Sequence, residues 1–241
     1  MSQPPTQESP AKEALDVREK GAGLKRSDVR LYCQLQVFNG CSDLGPLAEA
    51  FVKSGLEGVL YADALDPKGV GVLIMSETPD TFVTEARTFF QSQPFRGFAR
   101  KPELTMFGRT YATGREQDLE DWLLARPRRT ALNHAWTWAI WYPLRRKPEF
   151  SLLPKAEQGK ILMEHAIIGM AYGDADLAHD VRLACHGLDA GDNEFVIGLV
   201  GKDLHPLSRI VQDMRLTQQT ARYIESLGPF FVGKVFLHNK K

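Results

Sequence analysis

The chain has 241 residues, 43% of them hydrophobic and 10% aromatic, which suits one large domain or two small ones with a sizeable core and excludes a disordered chain. Lysine plus arginine number 30, as do aspartate plus glutamate, so no whole-molecule field points to nucleic acid or an anionic membrane, and any anion binding must come from local clusters. Cys33, Cys41 and Cys185 are an odd set without C-x-x-C or C-x-x-C-H spacing, which argues against a disulfide framework, a zinc ribbon and covalent heme attachment.

Residues 1–26 are rich in Pro, Gln, Ser, Glu and Lys without an apolar stretch of signal-peptide length, and read as a disordered tail. No apolar run is long enough to span a bilayer, so a soluble, cytoplasmic protein is expected. Residues 27–113 form a first half. Val29 to Phe38 alternate as a strand, and Leu44 to Val52 recur apolar at helical spacing. Gly58 to Leu65 and Gly71 to Met75 read as strands joined by the turn Asp66-Pro67-Lys68-Gly69. A helix is predicted after Thr78, with Phe82, Val83, Ala86, Phe89 and Phe90 on one stripe. A strand from Leu104 to Ala112 completes the order β-α-β-β-α-β.

Residues 114–133 read as a linker holding a short amphipathic piece (Leu119, Trp122, Leu123) and the basic run Arg126-Pro127-Arg128-Arg129. Residues 134–238 repeat the element order. Strands are expected at Trp136 to Tyr142, Val181 to His186, Glu194 to Val200 and Phe230 to Leu237. Helices are expected at Lys155 to Met170 and Leu204 to Leu216. The fold class is therefore α+β, with two tandem ferredoxin-like halves.

Several residues stand out chemically. His165 lies on a helix with Ile161, Leu162, Ile168 and Gly169 three or four residues away, so its imidazole points to the apolar side, where an axial metal ligand would be. A core histidine bonded to a carbonyl is the competing reading. Alternation puts Arg182, Ala184 and His186 on one strand face and Val181, Leu183 and Cys185 on the other, core face. Arg182 could polarise a peroxide or oxyanion, or form a plain salt bridge. Tyr142 shares a face with Trp136, Trp138 and Ile140, and either carries redox chemistry or packs with its hydroxyl at the rim. Arg128, Arg129, Arg145 and Arg146 offer guanidinium forks for carboxylates, solvated charge being the default. G-x-S-x-G, Walker A and G-x-G-x-x-G are absent, and Asp189, Asp192 and Glu194 fit a hairpin turn rather than a calcium loop.

These residues resemble the chlorite dismutase superfamily and, within it, the coproheme decarboxylases (hydrogen-peroxide-dependent heme synthases). The likeness is best over about residues 128 to 236 and is carried by Tyr142-Pro143-Leu144-Arg145-Arg146, by Leu152-Leu153-Pro154 before the His165 helix, and by Phe230-Phe231-Val232-Gly233. The resemblance implies that the halves close into a barrel-like dimeric α+β barrel of eight strands, assembled as a homopentamer with porphyrin in the C-terminal half. It also implies His165 as proximal iron ligand, Tyr142 as radical-forming tyrosine, and Arg146 and Arg128 as propionate holders. The implied substrate is iron coproporphyrin III and the product heme b, with hydrogen peroxide as co-substrate and transient contact with a ferrochelatase.

Arg182 departs from the decarboxylases, which commonly carry glutamine or a small residue there. It is similar to the distal arginine of chlorite dismutases, which keeps chlorite chemistry as an alternative beside a non-catalytic heme carrier or sensor and a pair of ferredoxin-like domains without porphyrin. Against chlorite stand Tyr142, which those enzymes lack, and Thr220 near the position of their glutamate that braces the proximal histidine. Pro229 stands where related decarboxylases can carry a propionate-binding hydroxyl, and about four extra residues separate His165 from Arg182.

Overall fold

The computed structural model describes residues 14–240. Residues 1–13 of the expected tail lie outside the described residues; the remainder departs from the expectation of disorder. Glu19–Lys20 pairs antiparallel with Arg26–Ser27. Polar anchors hold this hairpin down, because the Glu19 carboxylate accepts from the Arg109 guanidinium at 2.7 Å and from the Ala112 N–H at 2.9 Å.

The first half consists of β1 (Tyr32–Asn39), α1 (Gly45–Ser54), β2 (Glu57–Asp63), β3 (Gly69–Ser76), α2 (Glu85–Phe90) and β4 (Met106–Arg109). In β1 the alternation is plain, with Cys33, Leu35 and Val37 buried on one face. Helix α1 stops at Gly55, whose φ of 66° is the left-handed conformation that a side chain would strain. The β2–β3 turn forms as predicted: Gly69 N–H donates to the Asp66 carbonyl at 2.8 Å and Lys68 N–H to the Asp66 side chain at 3.0 Å. The helix expected after Thr78 is broken. A 3₁₀ turn covers Pro79–Phe82, and the backbone leaves helical geometry at Thr84 before α2 begins, which puts Val83 65% exposed rather than on the apolar stripe. The strand expected over Leu104 to Ala112 is trimmed to β4, with a 3₁₀ turn at Pro102–Leu104.

The linker holds a π-type turn at Asp121–Ala125 and α3 (Arg126–Ala131). The second half runs β5 (Trp138–Arg146), α4 (Lys155–Asp174), β6 (His179–Ala184), β7 (Phe195–Gly201), α5 (Leu204–Met214) and β8 (Phe231–Asn239). β5 continues past its predicted end at Tyr142 despite Pro143. Up to Trp141 it pairs with β8, and from Leu144 with the short strand Ile224–Leu227, so the missing proline N–H falls where β5 changes neighbours.

Eight strands pair antiparallel in the cyclic order β1-β3-β2-β8-β5-β7-β6-β4, and β4 returns to β1, so the sheet closes. Both halves line one interior, filled by Cys33, Leu35, Tyr61, Leu73, Met106, Trp141, Val181, Leu183, Val196 and Phe231. Leu119, Leu123 and Leu132 of the linker join the same cluster. Across β5 and β7, Gly198 lies directly opposite Trp141; a Cβ there would sit 2.5 Å from the indole. Outside the barrel, α1 and α2 cover one half with Phe51 and Phe89 packed near Phe38 and Phe95. On the other half, Leu207 and Ile210 of α5 cover Ile140, Tyr142 and Leu199.

Candidate active site

The outer face of β5, β7 and β6 carries the site. Register puts Tyr142 opposite Ile197 and Ile197 opposite Arg182, so the three form one row across adjacent strands; one row along, Ile140, Leu199 and Asp180 form the next. Adjacent strands lie about 4.8 Å apart, which sets the backbones of Tyr142 and Arg182 about 10 Å from each other. The predicted division of β6 holds, since Val181 and Leu183 point into the barrel with Cys185 just beyond the strand. Trp136 does not share the Tyr142 face. It precedes β5 and stacks on His179 at 3.6 Å between ring centroids, its indole N–H donating to Asp176 at 3.1 Å.

His165 lies on α4, which packs over this face. Its Nδ1 is buried and has no hydrogen-bond partner, which removes the carbonyl-bonded reading for that atom. Burial lowers the imidazole pKa below its ordinary value, the positive charge of Arg182 lowers it further, and Asp180 opposes both. A neutral imidazole offers a lone pair to a metal. Among the described residues no group of three or more His, Cys, Asp or Glu side chains could hold a metal ion.

Tyr142 is buried at 8% exposure, and its ring lies 4.8 Å from that of Phe230. Burial first, and then the negative charge of Asp180, push its phenol pKa well up, with Arg215 pulling the other way. The phenol is therefore held neutral. Arg215 follows α5 and forms no ion pair among the described residues, leaving its charge available beside the Tyr142 face; no pattern in the sequence marks it.

Arg182 is not free. Its Nε lies 2.8 Å from Asp180 Oδ2, and its guanidinium lies 5.1 Å from the Trp122 ring centroid. Arg126 Nη2 donates to Asp180 Oδ1 at 2.6 Å and stacks on the same indole at 4.6 Å. Burial alone would raise the Asp180 pKa, but the charges of Arg182 and Arg126 outweigh it and the carboxyl stays below its ordinary range. Asp180 lies on the Arg182 face two residues along β6, a neighbour that the sequence reading did not single out, and Arg126 and Trp122 are brought in by the fold. Tyr111 is a further neighbour, its ring 5.5 Å from that of Phe195 and its phenol pKa raised by burial against the lowering effect of Arg182.

The arginines expected to hold carboxylates divide. Arg146 lies on the Tyr142 face of β5, with Nε 3.0 Å from Glu194 and its guanidinium over Phe150 and Phe195. Arg128 is turned elsewhere. Its Nε and Nη2 donate to the carboxylates of Glu57 and Glu77 of the first half, each at 2.9 Å, so its guanidinium is already paired with protein carboxylates.

A large closed antiparallel sheet with helices outside is a mixed α+β fold that matches chlorite-dismutase-like structures. Residues 117–236, the linker and second half, match the chlorite dismutase family. The chain is similar in fold to a heme-binding protein from Thermus thermophilus, with TM-score 0.66, 19% identity and coverage of 86% of this chain and 91% of that one. It is also similar to the chlorite dismutase from Candidatus Nitrospira defluvii in complex with imidazole, with TM-score 0.66, 14% identity and coverage of 86% and 91%. Among the described residues no helix is long and apolar enough to cross a membrane.

Proposed function

We propose that this face binds an iron porphyrin through His165 and that the protein is a coproheme decarboxylase, converting iron coproporphyrin III to heme b with hydrogen peroxide. The observation that carries the reading is the row Tyr142–Ile197–Arg182 lying under a helix that bears a neutral His165 with an unpartnered, buried ring nitrogen. The fit to a porphyrin has further support in α4, of whose 20 residues only Ile161 is fully buried, while Leu162, Met163, Ile167 and Met170 stay 39–57% exposed. A helix that leaves these apolar side chains exposed is suited to a flat apolar ligand on one side and a neighbouring subunit on another. A ring of five, a cytoplasmic setting and supply of substrate by a ferrochelatase belong to the same proposal.

When bound, the iron porphyrin supplies the redox chemistry with peroxide. Each propionate, –CH2CH2COO⁻, with one H2O2 and one proton, yields a vinyl, CO2 and two waters. Tyr142, kept as a neutral phenol, is the group that gives up its hydroxyl hydrogen and takes one from the propionate side chain. Arg146 and Arg215 set which propionate faces it, by binding the carboxylates that do not react. Ile140, Ile197 and Leu199 keep water from that face.

A specific observation favours a second reading. Arg182, a cation on the sheet side, suits chlorite decomposition to chloride and dioxygen. Anaerobic loading with iron coproporphyrin III, followed by stepwise peroxide with porphyrin mass read at each step, tests the proposal. Sequential loss of two carboxyl groups supports it. Unchanged porphyrin refutes it, with chlorite-dependent dioxygen then favouring the second reading; porphyrin that binds tightly and only bleaches favours a carrier.

A further inference from the structure

Where β8 ends, α3, the turn after it and the residue after β8 line a depression of about 460 Å3, a volume typical of small-ligand sites. It lies well away from the Tyr142 face. β8 leaves Trp141 at Phe231 and ends at Asn239, a run of about 26 Å. On α3, Arg126 and Arg128 stand about 200° apart around the axis, Arg126 turned to Asp180 and Arg128 to Glu57.

The polar lining consists of donors. Arg128, Arg129, Asn133, His134 and Lys240 line the depression beside Leu132, and among the described residues no Asp or Glu does. The carboxylates that pair with the arginines lie outside it and fix them. Arg128 gives Nε and Nη2 to Glu57 and Glu77, leaving Nη1 unused; Arg129 gives Nη1 and Nη2 to Asp121, leaving Nε unused. Asn133 Oδ1 accepts from the Ala135 N–H at 2.9 Å, which identifies the oxygen and leaves the NH2 group free. The His134 ring lies 4.7 Å from that of His238. Burial first, and then the charges of His134 and Lys240, push the His238 pKa down to about 4, so these surroundings repel a further positive charge.

We infer that this depression is a phosphate-binding site, separate from the porphyrin face. Two guanidinium forks, an ammonium, an amide NH2 and an imidazole, with no facing carboxylate, suit a ligand built of acceptors and negative charge. They converge from three segments of the chain. A tetrahedral oxyanion, whose oxygens point apart, meets donors from several sides better than a planar carboxylate does. Because Asp121, Glu57 and Glu77 already hold the forks, little side-chain freedom is lost when the anion arrives. A single phosphate displaces only a few waters of about 30 Å3 each, so the depression has room for a diphosphate.

The test titrates the full-length protein, without porphyrin and in low salt, with pyrophosphate, phosphate, ADP and citrate, the heat of binding being read. One saturable pyrophosphate site per chain is expected, tighter than citrate by about fivefold or more. Lys240→Gln and Arg129→Gln alter exposed side chains and should each weaken pyrophosphate about two- to fivefold. Lys53→Gln, at an exposed cation on α1, should leave it unchanged. ADP bound as tightly as pyrophosphate supports the site with a phosphate ester as ligand; pyrophosphate bound without ADP supports it with the free anion.

Absence of saturable binding by both phosphate and pyrophosphate overturns the inference, as does citrate bound equally well. A loss in Lys53→Gln as large as in Lys240→Gln would show a general charge effect and overturn it too. The site does not depend on the porphyrin reading, so protein that takes up no porphyrin should bind pyrophosphate all the same. In protein that does, loading with ferric coproporphyrin III should change pyrophosphate affinity by less than about twofold. Displacement of one ligand by the other would overturn the separation of the two sites.

Discussion

Gly198→Ala tests whether the barrel interior is as tightly closed as its strand register implies. The new methyl carbon would meet three atoms of the Trp141 indole at 2.5, 2.5 and 2.7 Å. Carbon atoms prefer about 3.5–4.0 Å, so the ring must retreat by about 1 Å. It has little room to do so. Trp141 is 1% exposed, and its neighbours in the interior include Tyr61 and Phe231, both fully buried. Overpacking of this kind costs about 1–3 kcal/mol. For a chain of this size each kcal/mol lowers Tm by about 2–4 °C, so Tm should fall by about 2–12 °C. Urea unfolding gives the free energy directly, and the pair Gly198→Ala with Trp141→Phe completes a cycle. The smaller ring should relieve the clash, making the double variant more stable than the sum of the two single effects by about 1 kcal/mol or more. A single variant within about 0.5 kcal/mol of the parent, or strict additivity, would refute the contact geometry.

Tyr142→Phe removes a hydroxyl for which the structure records no hydrogen bond, so urea unfolding should show stability within about 1 kcal/mol of the parent. Product yield in the peroxide assay should still fall by roughly 10²-fold or more, the scale on which loss of a proton-transferring group acts; normal yield would remove Tyr142 from the chemistry. Arg128→Ala leaves the Glu57 carboxylate, which is 9% exposed, without its partner, so stability should drop by about 1–3 kcal/mol while porphyrin uptake stays within about twofold. Selective loss of uptake would assign Arg128 to the porphyrin site. Burial, then the charges of His134 and Lys240, hold the pKa of His238 at about 4 instead of 6.5. On acidification the unfolded chain takes up that proton first. The stability linked to His238 is therefore full above pH 6.5 and is lost as pH falls toward about 4, and His238→Gln should flatten this loss in urea titrations on either side of the window.

Periodicity carried most of the architecture, because alternation and helical spacing report directly on which face is buried. Cys33, Leu35 and Val37 alternate in the sequence and all point inward; Trp138, Ile140 and Tyr142 share the opposite side of their sheet as their spacing requires. The failures have local causes. The stripe Phe82–Phe90 has helical spacing, but the non-helical backbone at Thr84 breaks it into a 3₁₀ turn and a short helix, and spacing alone does not register such a break. Arg128 sits in a run of basic residues that looks free to bind carboxylates. Its partners, Glu57 and Glu77, lie 71 and 51 positions away in the other half, and no spacing rule reaches that far. His165, Tyr142 and Arg182 stand out from their neighbours in the sequence, and the fold brings them to one side of the sheet. Arg215 does not stand out, since nothing around it in the chain distinguishes it from any other arginine after a helix.

The two lines along which the halves meet are unequal. β2 and β8 share six matched residue pairs, from Gly233 with Asp63 to Asn239 with Gly58, whereas β4 and β6 share only Arg109 with Ala184. A barrel fastened in this way behaves like a book, with a strong spine and a lightly held fore-edge. Backbone amides at 106–109 and 181–184 should exchange with solvent sooner than those at 58–63. The ion pair from Arg126 to Asp180 fastens the linker onto β6, the strand at the fore-edge. Loss of that pair should loosen the fore-edge and leave the spine intact, so the amides at 106–109 and 181–184 should register it before those at 58–63.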